Sequence, residues 1–224
     1  MSCIIEMKRI SKKFGRRNIL KDVSLEVAQG QTIGLVGANG SGKSVLFKIL
    51  CGFEKPDSGH VFIRGKQLGK GRDFPENVGV FINAPGFIGI YSGFQNLKFL
   101  ADIQGTIGET EIKNAMSIVG LDPDNKTKVD NYSLGMKQKL GIAQAIMEDQ
   151  DILVLDEPFN ALDYKTYEDI KGIIRELKAE GKTILLTSHH YQDIEQLCDL
   201  VYTIEDCRLV PMTEEVSERY RECD

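Results

Sequence analysis

Residues 37–44 read Gly-Ala-Asn-Gly-Ser-Gly-Lys-Ser, a match to the pattern G-x-x-x-x-G-K-[ST]. Such a loop constrains the fold strongly, because it works only between a buried strand and a helix. Both flanks are present. Thr32-Ile33-Gly34-Leu35-Val36 is short, apolar and β-branched, as a buried parallel strand is. Val45 to Cys51 repeats apolar residues at helical spacing. Glycines let backbone N–H groups crowd around a polyphosphate, and the helix end adds a partial positive charge. Gly37, Ala38, Asn39, Gly40, Ser41, Gly42, Lys43, Ser44 and Val45 are therefore candidate phosphate-binding residues. Lys43 is placed to reach the β- and γ-phosphates, and the Ser44 hydroxyl to ligate Mg²⁺.

Composition narrows the class. The chain has 224 residues, 42% of them hydrophobic, enough for one large domain or a domain carrying an inserted subdomain. Its net charge of −5, with signs mixed, leaves no nucleic-acid footprint, and no nucleic-acid partner is expected. No apolar run approaches the length of a transmembrane helix, and residues 1–6 lack the features of a signal peptide. The five cysteines, at 3, 51, 198, 207 and 223, form no Cys-x-x-Cys pair. Reduced thiols and a cytosolic protein are expected.

Strands are expected near 3–9 and 19–27, joined by a basic loop at 12–17, and again near 60–64 and 78–82. From about 92 to 148 the pattern turns helical, with stretches near 93–104, 109–119 and 134–148. Strand–helix alternation resumes at 151–155, 164–180, 183–187, 191–198 and 199–204. Such alternation argues a parallel sheet covered on both faces, with the helical stretch as an insertion.

The apolar strand Ile152-Leu153-Val154-Leu155 ends in Asp156-Glu157-Pro158. Carboxylates at the C-terminal end of a core strand lie in the crevice where α/β proteins bind ligands. Asp156 is the candidate Mg²⁺-site carboxylate. Glu157 is the candidate base for the attacking water. Taken alone, the pair also reads as a solvated strand end; the loop at 37–44 favours the functional reading.

Tyr132-Ser133-Leu134-Gly135-Met136-Lys137-Gln138-Lys139-Leu140 resembles the signature motif of the ATP-binding cassette (ABC) family of transporter ATPases. Asn160-Ala161-Leu162-Asp163 resembles its D-loop, and Leu186-Thr187-Ser188-His189 its switch-histidine motif. The resemblance spans roughly residues 4–210. It implies an α/β fold, with a P-loop NTPase (RecA-like) parallel-sheet core, an N-terminal antiparallel β subdomain and an inserted α-helical subdomain. It implies one ABC ATPase domain over 1–224, in which about 1–83 and 149–224 form the ATP-binding core and about 84–148 the helical signature subdomain. The implied activity is ATP hydrolysis, with ATP and Mg²⁺ bound, powering transport through a separate integral membrane permease subunit. The chain would then sit at the cytoplasmic face of the cell membrane, held by the permease.

The resemblance also assigns residues. Phe14 stands where the family stacks an aromatic on adenine, with Ile19 near the ribose. Two cassettes, a second copy or a paralogue, pack head to tail on ATP. Ser133, Leu134, Gly135, Met136 and Asp163 then face the partner's nucleotide. His189 contacts the γ-phosphate and positions the water. Simpler readings stand beside these: Ser133 as the N-cap of the helix at 134–148, and Phe14 as a half-buried aromatic beside Gly15. His60 and His190 receive no role.

Two departures from the family pattern stand out. Asn83 holds the place where the family usually has Gln touching Mg²⁺ and the water; Asn is one methylene shorter, and Gln95 lies too far along to replace it. Leu134 and Met136 stand where the family often has Gly and Gln, variants similar to those of cassettes serving exporters, including antimicrobial-peptide exporters. Residues 84–94 are rich in apolar side chains and glycine. By the resemblance they receive a short helix of the permease; packing inside the helical subdomain is the alternative. A soluble non-transport ABC ATPase is the competing function. It lacks support from a second ATPase core or a long coiled coil. A phosphate-loop kinase or GTPase lacks its base-reading and lid motifs, whereas the signature at 132–140 is present.

Overall fold

Three short runs, Thr32–Val36 (β3), Ile152–Leu155 (β7) and Thr183–Thr187 (β8), are buried at every position. They form the centre of a six-stranded sheet in a computed structural model that describes residues 3–69, 71, 73–82, 86–188 and 191–213. The sheet order is β10-β9-β3-β8-β7-β6, completed by Val78–Phe81 (β6), Leu200–Glu205 (β9) and Arg208–Pro211 (β10). All neighbours are parallel except the β9–β10 hairpin.

Both faces of the sheet's centre are covered, which is why β3, β7 and β8 are buried at every position rather than at alternate ones. Along β7, Ile152 and Val154 join one hydrophobic cluster and Leu153 and Leu155 the other. The first cluster packs α1 (Lys43–Leu50) and an antiparallel sheet of Cys3–Phe14 (β1), Arg17–Ala28 (β2), Ser58–Ile63 (β4) and Lys66–Gln67 (β5), in the order β2-β1-β4-β5. The second packs α2 (Gly93–Gln104), α3 (Glu109–Ile118), α4 (Leu134–Ile146), α5 (Tyr164–Ala179) and α6 (Tyr191–Leu197). The strand ends of β3, β7 and β8 thus open toward one edge, where loop 37–42 and residues 156–157 and 188 follow them.

The basic loop expected at 12–17 is a correction. The ladder continues through Lys12↔Leu20, Lys13↔Asn18 and Phe14↔Arg17, leaving only Gly15-Arg16 as the turn. Lys12 tolerates the sheet because its ammonium donates to the Lys55 carbonyl at 2.7 Å and pairs with Glu54 at 2.6 Å. Strand β10 also goes beyond the sequence reading. Its hairpin turns on Asp206 and Cys207, both left-handed at φ 47 and 65, without the glycine that usually signals such turns.

Candidate nucleotide-binding site

The phosphate loop runs from β3 into α1, with Gly37, Gly40 and Gly42 at φ 136, 75 and 116. Side chains rarely adopt such backbone, and a Cβ on Gly42 would in addition meet the Ile19 side chain at 3.1 Å. Ile19 therefore lies against the loop. Lys43 is the first residue of α1 and is almost wholly buried. A buried ammonium needs partners; it donates to Gly37 O at 2.5 Å and Ala38 O at 3.4 Å, and lies 3.7 Å from Glu157 Oε1. Ser44 and Val45 follow in the first helical turn, whose N–H groups have no acceptor within the helix.

Asp156 and Glu157 leave β7 beside this loop. Asp156 is buried, and its N–H donates to Phe81 O at 2.7 Å. Glu157 has φ 53, a backbone state that costs a non-glycine residue about 1–2 kcal/mol. Thr187, at the end of β8, joins the two: its hydroxyl donates to Asp156 Oδ1 at 2.8 Å and accepts from Glu157 N at 2.8 Å. Thr187 falls inside the segment that resembles the switch-histidine motif, where it has no assigned role. A Thr closing an otherwise apolar run, Thr183-Ile184-Leu185-Leu186-Thr187, was the available signal.

The residues fit a Mg-nucleotide. The loop is a concave run of glycines, and Ser41 Oγ is buried with no hydrogen-bond partner among the described residues, as a donor awaiting a phosphate would be. Ser44 and Asp156 supply hard oxygen donors of the kind Mg²⁺ takes. Among the described residues no three His, Cys, Asp or Glu side chains cluster as a metal cage.

The other predicted residues have local partners of their own. Phe14 closes the β1–β2 hairpin, half exposed, with the Lys12 ammonium 5.2 Å from its ring centre. Ser133 caps α4, accepting from Met136 N at 3.2 Å, and Leu134 is exposed. Asp163 caps α5, accepting from Thr166 N at 3.0 Å and Thr166 Oγ1 at 2.7 Å, bonds that hold its carboxyl below the usual range. The same Thr166 faces Gly135: a Cβ there would lie 2.6 Å from Thr166 Cγ2. Ser133–Met136 and Asp163 are thus neighbours, and no hydrogen bond or ion pair among the described residues ties them to the phosphate loop. Asn83 and His189 lie outside the described residues. Gln95 reaches back to Ser92 N at 3.0 Å as a helix-capping residue.

A family model described as "ABC transporter" matches residues 20–160. The chain belongs to the ABC transporter family. An uncharacterized ABC transporter ATP-binding protein of Bacillus subtilis (strain 168), YybJ, is 41% identical over 206 residues, covering 92% of this chain and 94% of the relative. The bacitracin transport ATP-binding protein BcrA of Enterococcus faecalis is 34% identical over 212 residues, covering 94% of this chain and 69% of the relative. In fold, the chain is similar to the dimeric structure of a bacterial ABC transporter cassette, with TM-score 0.81 and 23% identity over 92% of this chain and 96% of that one. This ABC cassette is an ATP-binding transporter subunit and an ATPase. No helix among its described residues is long and apolar enough to cross a membrane.

Proposed function

We propose that this cassette hydrolyses Mg-ATP to power a transporter of antimicrobial-peptide or drug-exporter type, whose membrane pathway is a separate permease polypeptide. The meeting of phosphate loop, Asp156, Glu157 and Lys43 at one sheet edge supports the catalytic part of this reading. With nucleotide bound, Lys43 would pass from Glu157 to the phosphates, and Ser44 and Asp156 would hold Mg²⁺, which would supply charge neutralisation. Glu157, released from Lys43, takes the proton of the attacking water. By the family resemblance, Asn83 and His189 would serve the cation and the water, and Phe14 and Ile19 the adenine and ribose. Ser133, Leu134, Gly135, Met136 and Asp163 serve the nucleotide of a second cassette; the dimeric form of the similar structure supports this arrangement.

The observation that carries the transport reading is a groove of about 450 Å³ between the sheet and the helical layer. Phe53, Val80, Ile82, Phe87, Ile88 and Phe99 line it beside the polar Asn96 and Gln144, and none of the described lining residues is charged. Phe87 and Phe94 pack inward against the core, whereas Ile88 and Ile90 are exposed and would be open to the permease. An apolar groove of this size suits a short amphipathic helix of the permease, which would hold the cassette at the cytoplasmic face. The exporter type rests on the signature variants Leu134 and Met136 and on the bacitracin transport relative.

Affinity purification from detergent-solubilised membranes tests the proposal. An integral membrane protein is expected to co-purify, and Ile88→Asp together with Phe99→Asp is expected to release it while ATP binding persists. Recovery of ribosomes or DNA in its place would overturn the reading in favour of a non-transport ABC ATPase.

A further inference from the structure

Two acidic residues at one strand end need to be aimed, and one hydroxyl touches the carboxylate of the first and the backbone of the second. Thr187 is completely buried at the end of β8, adjacent to β7 in the sheet. Its two hydrogen bonds have fixed directions. A carboxylate only accepts, so the hydroxyl donates to Asp156 Oδ1; a backbone N–H only donates, so the hydroxyl accepts from Glu157. A hydroxyl has one proton, so no other donation is open to Thr187. The Asp156 carboxylate is thereby pinned through Oδ1, which leaves Oδ2 for a metal ion or its water. The Glu157 backbone is anchored in its left-handed state at φ 53, which sets where that side chain leaves the strand.

We infer that Thr187 is a positioning residue for hydrolysis, coupling the metal-site carboxylate to the proposed general base through one hydroxyl. This rests on the reading of Asp156 and Glu157 given above. The chemistry of the bond predicts which substitutions matter. Thr187→Val keeps the shape and removes both hydrogen bonds; Thr187→Ser keeps both. Partners one shell out from a metal typically change metal affinity or activity by about 10–100-fold.

The test uses the full chain with Mn²⁺ as probe. Mn²⁺ binding in the presence of a non-hydrolysable ATP analogue is followed by electron paramagnetic resonance, beside steady-state ATPase. Nucleotide affinity in EDTA, set by the phosphate loop, serves as the control for folding. Thr187→Val is expected to weaken Mn²⁺ binding and lower kcat, each by about 10-fold or more, with EDTA-state nucleotide affinity and KM for ATP changed less than about threefold. Thr187→Ser is expected to restore both. Should Thr187→Val lose nucleotide binding in EDTA, Thr187→Ala carries the same readouts. Mn²⁺ affinity and kcat equal in Val, Ser and unaltered proteins would overturn the inference. Glu157→Gln, run in parallel, separates the two claims. If Glu157→Gln is inactive while Thr187→Val is unaffected, the positioning role fails alone; if Glu157→Gln hydrolyses normally, the reading of the site itself fails.

Discussion

The Lys43 ammonium lies 3.7 Å from Glu157 Oε1, so the proposed phosphate-binding cation and the proposed base neutralise one another across the strand ends. In the proposed mechanism, nucleotide draws Lys43 from Glu157 toward the phosphates. Lys43→Ala should therefore cut Mg-ATP affinity by about 10- to 100-fold, the value of one charge-assisted bond at about 1.5–3 kcal/mol. Equilibrium titration with a fluorescent ATP analogue measures it; near-unchanged affinity would contradict the assignment.

Glu157→Gln removes the base and keeps the size. Hydrolysis should fall by about 10²–10⁴-fold while ATP binding is retained. If the chain pairs with itself, Mg-ATP should then hold a dimer that elutes early in size-exclusion chromatography.

The signature residues are expected to act on the other cassette's nucleotide. A Ser133→Arg chain and a Lys43→Ala chain, each inactive alone, should regain part of the ATPase activity when mixed in a homodimer, because one composite site keeps both faces. Full activity of Ser133→Arg by itself would reduce Ser133 to the helix cap seen here.

Gly135 and Thr166 should be energetically coupled. A Cβ at 135 would sit 2.6 Å from Thr166 Cγ2, so Gly135→Ala should cost about 1–3 kcal/mol. Thr166→Ser removes that methyl and keeps the hydroxyl bond to Asp163. In that background Gly135→Ala should cost less, because the 2.6 Å contact is gone and only the hydroxyl at 3.0 Å and Cβ at 3.3 Å have to give. Urea unfolding of the four chains gives the coupling; strictly additive costs would rule it out.

Thiol chemistry offers a test of burial. Burial pushes the Cys51 and Cys198 thiols up to about 12, whereas Cys3 is exposed. A raised pKa means less thiolate at a given pH, on the order of one part in ten thousand at pH 8. Iodoacetamide at pH 8 should label Cys3 and spare Cys51 and Cys198 until denaturant is added. Mass spectrometry of native protein with either buried residue fully labelled would refute the packing of α1 or α6.

What the sequence determined by itself was local. The phosphate loop, the buried strands and helix α2, expected at 93–104 and found at Gly93–Gln104, announce themselves through consecutive residues and their periodicity. Asp156 and Glu157 were legible because a carboxylate pair directly ends an apolar strand. The tertiary structure alone decided what meets across the chain. Lys12 stays in a strand because an acceptor 43 positions away satisfies its ammonium. β10 forms because β9 offers it an edge, through a turn without glycine. Thr187 reaches Asp156, 31 positions earlier, only because β7 and β8 are neighbours in the sheet. Residues that cooperate through space carry no periodic mark in the sequence, so the pairings that aim the site emerge only once the sheet has assembled.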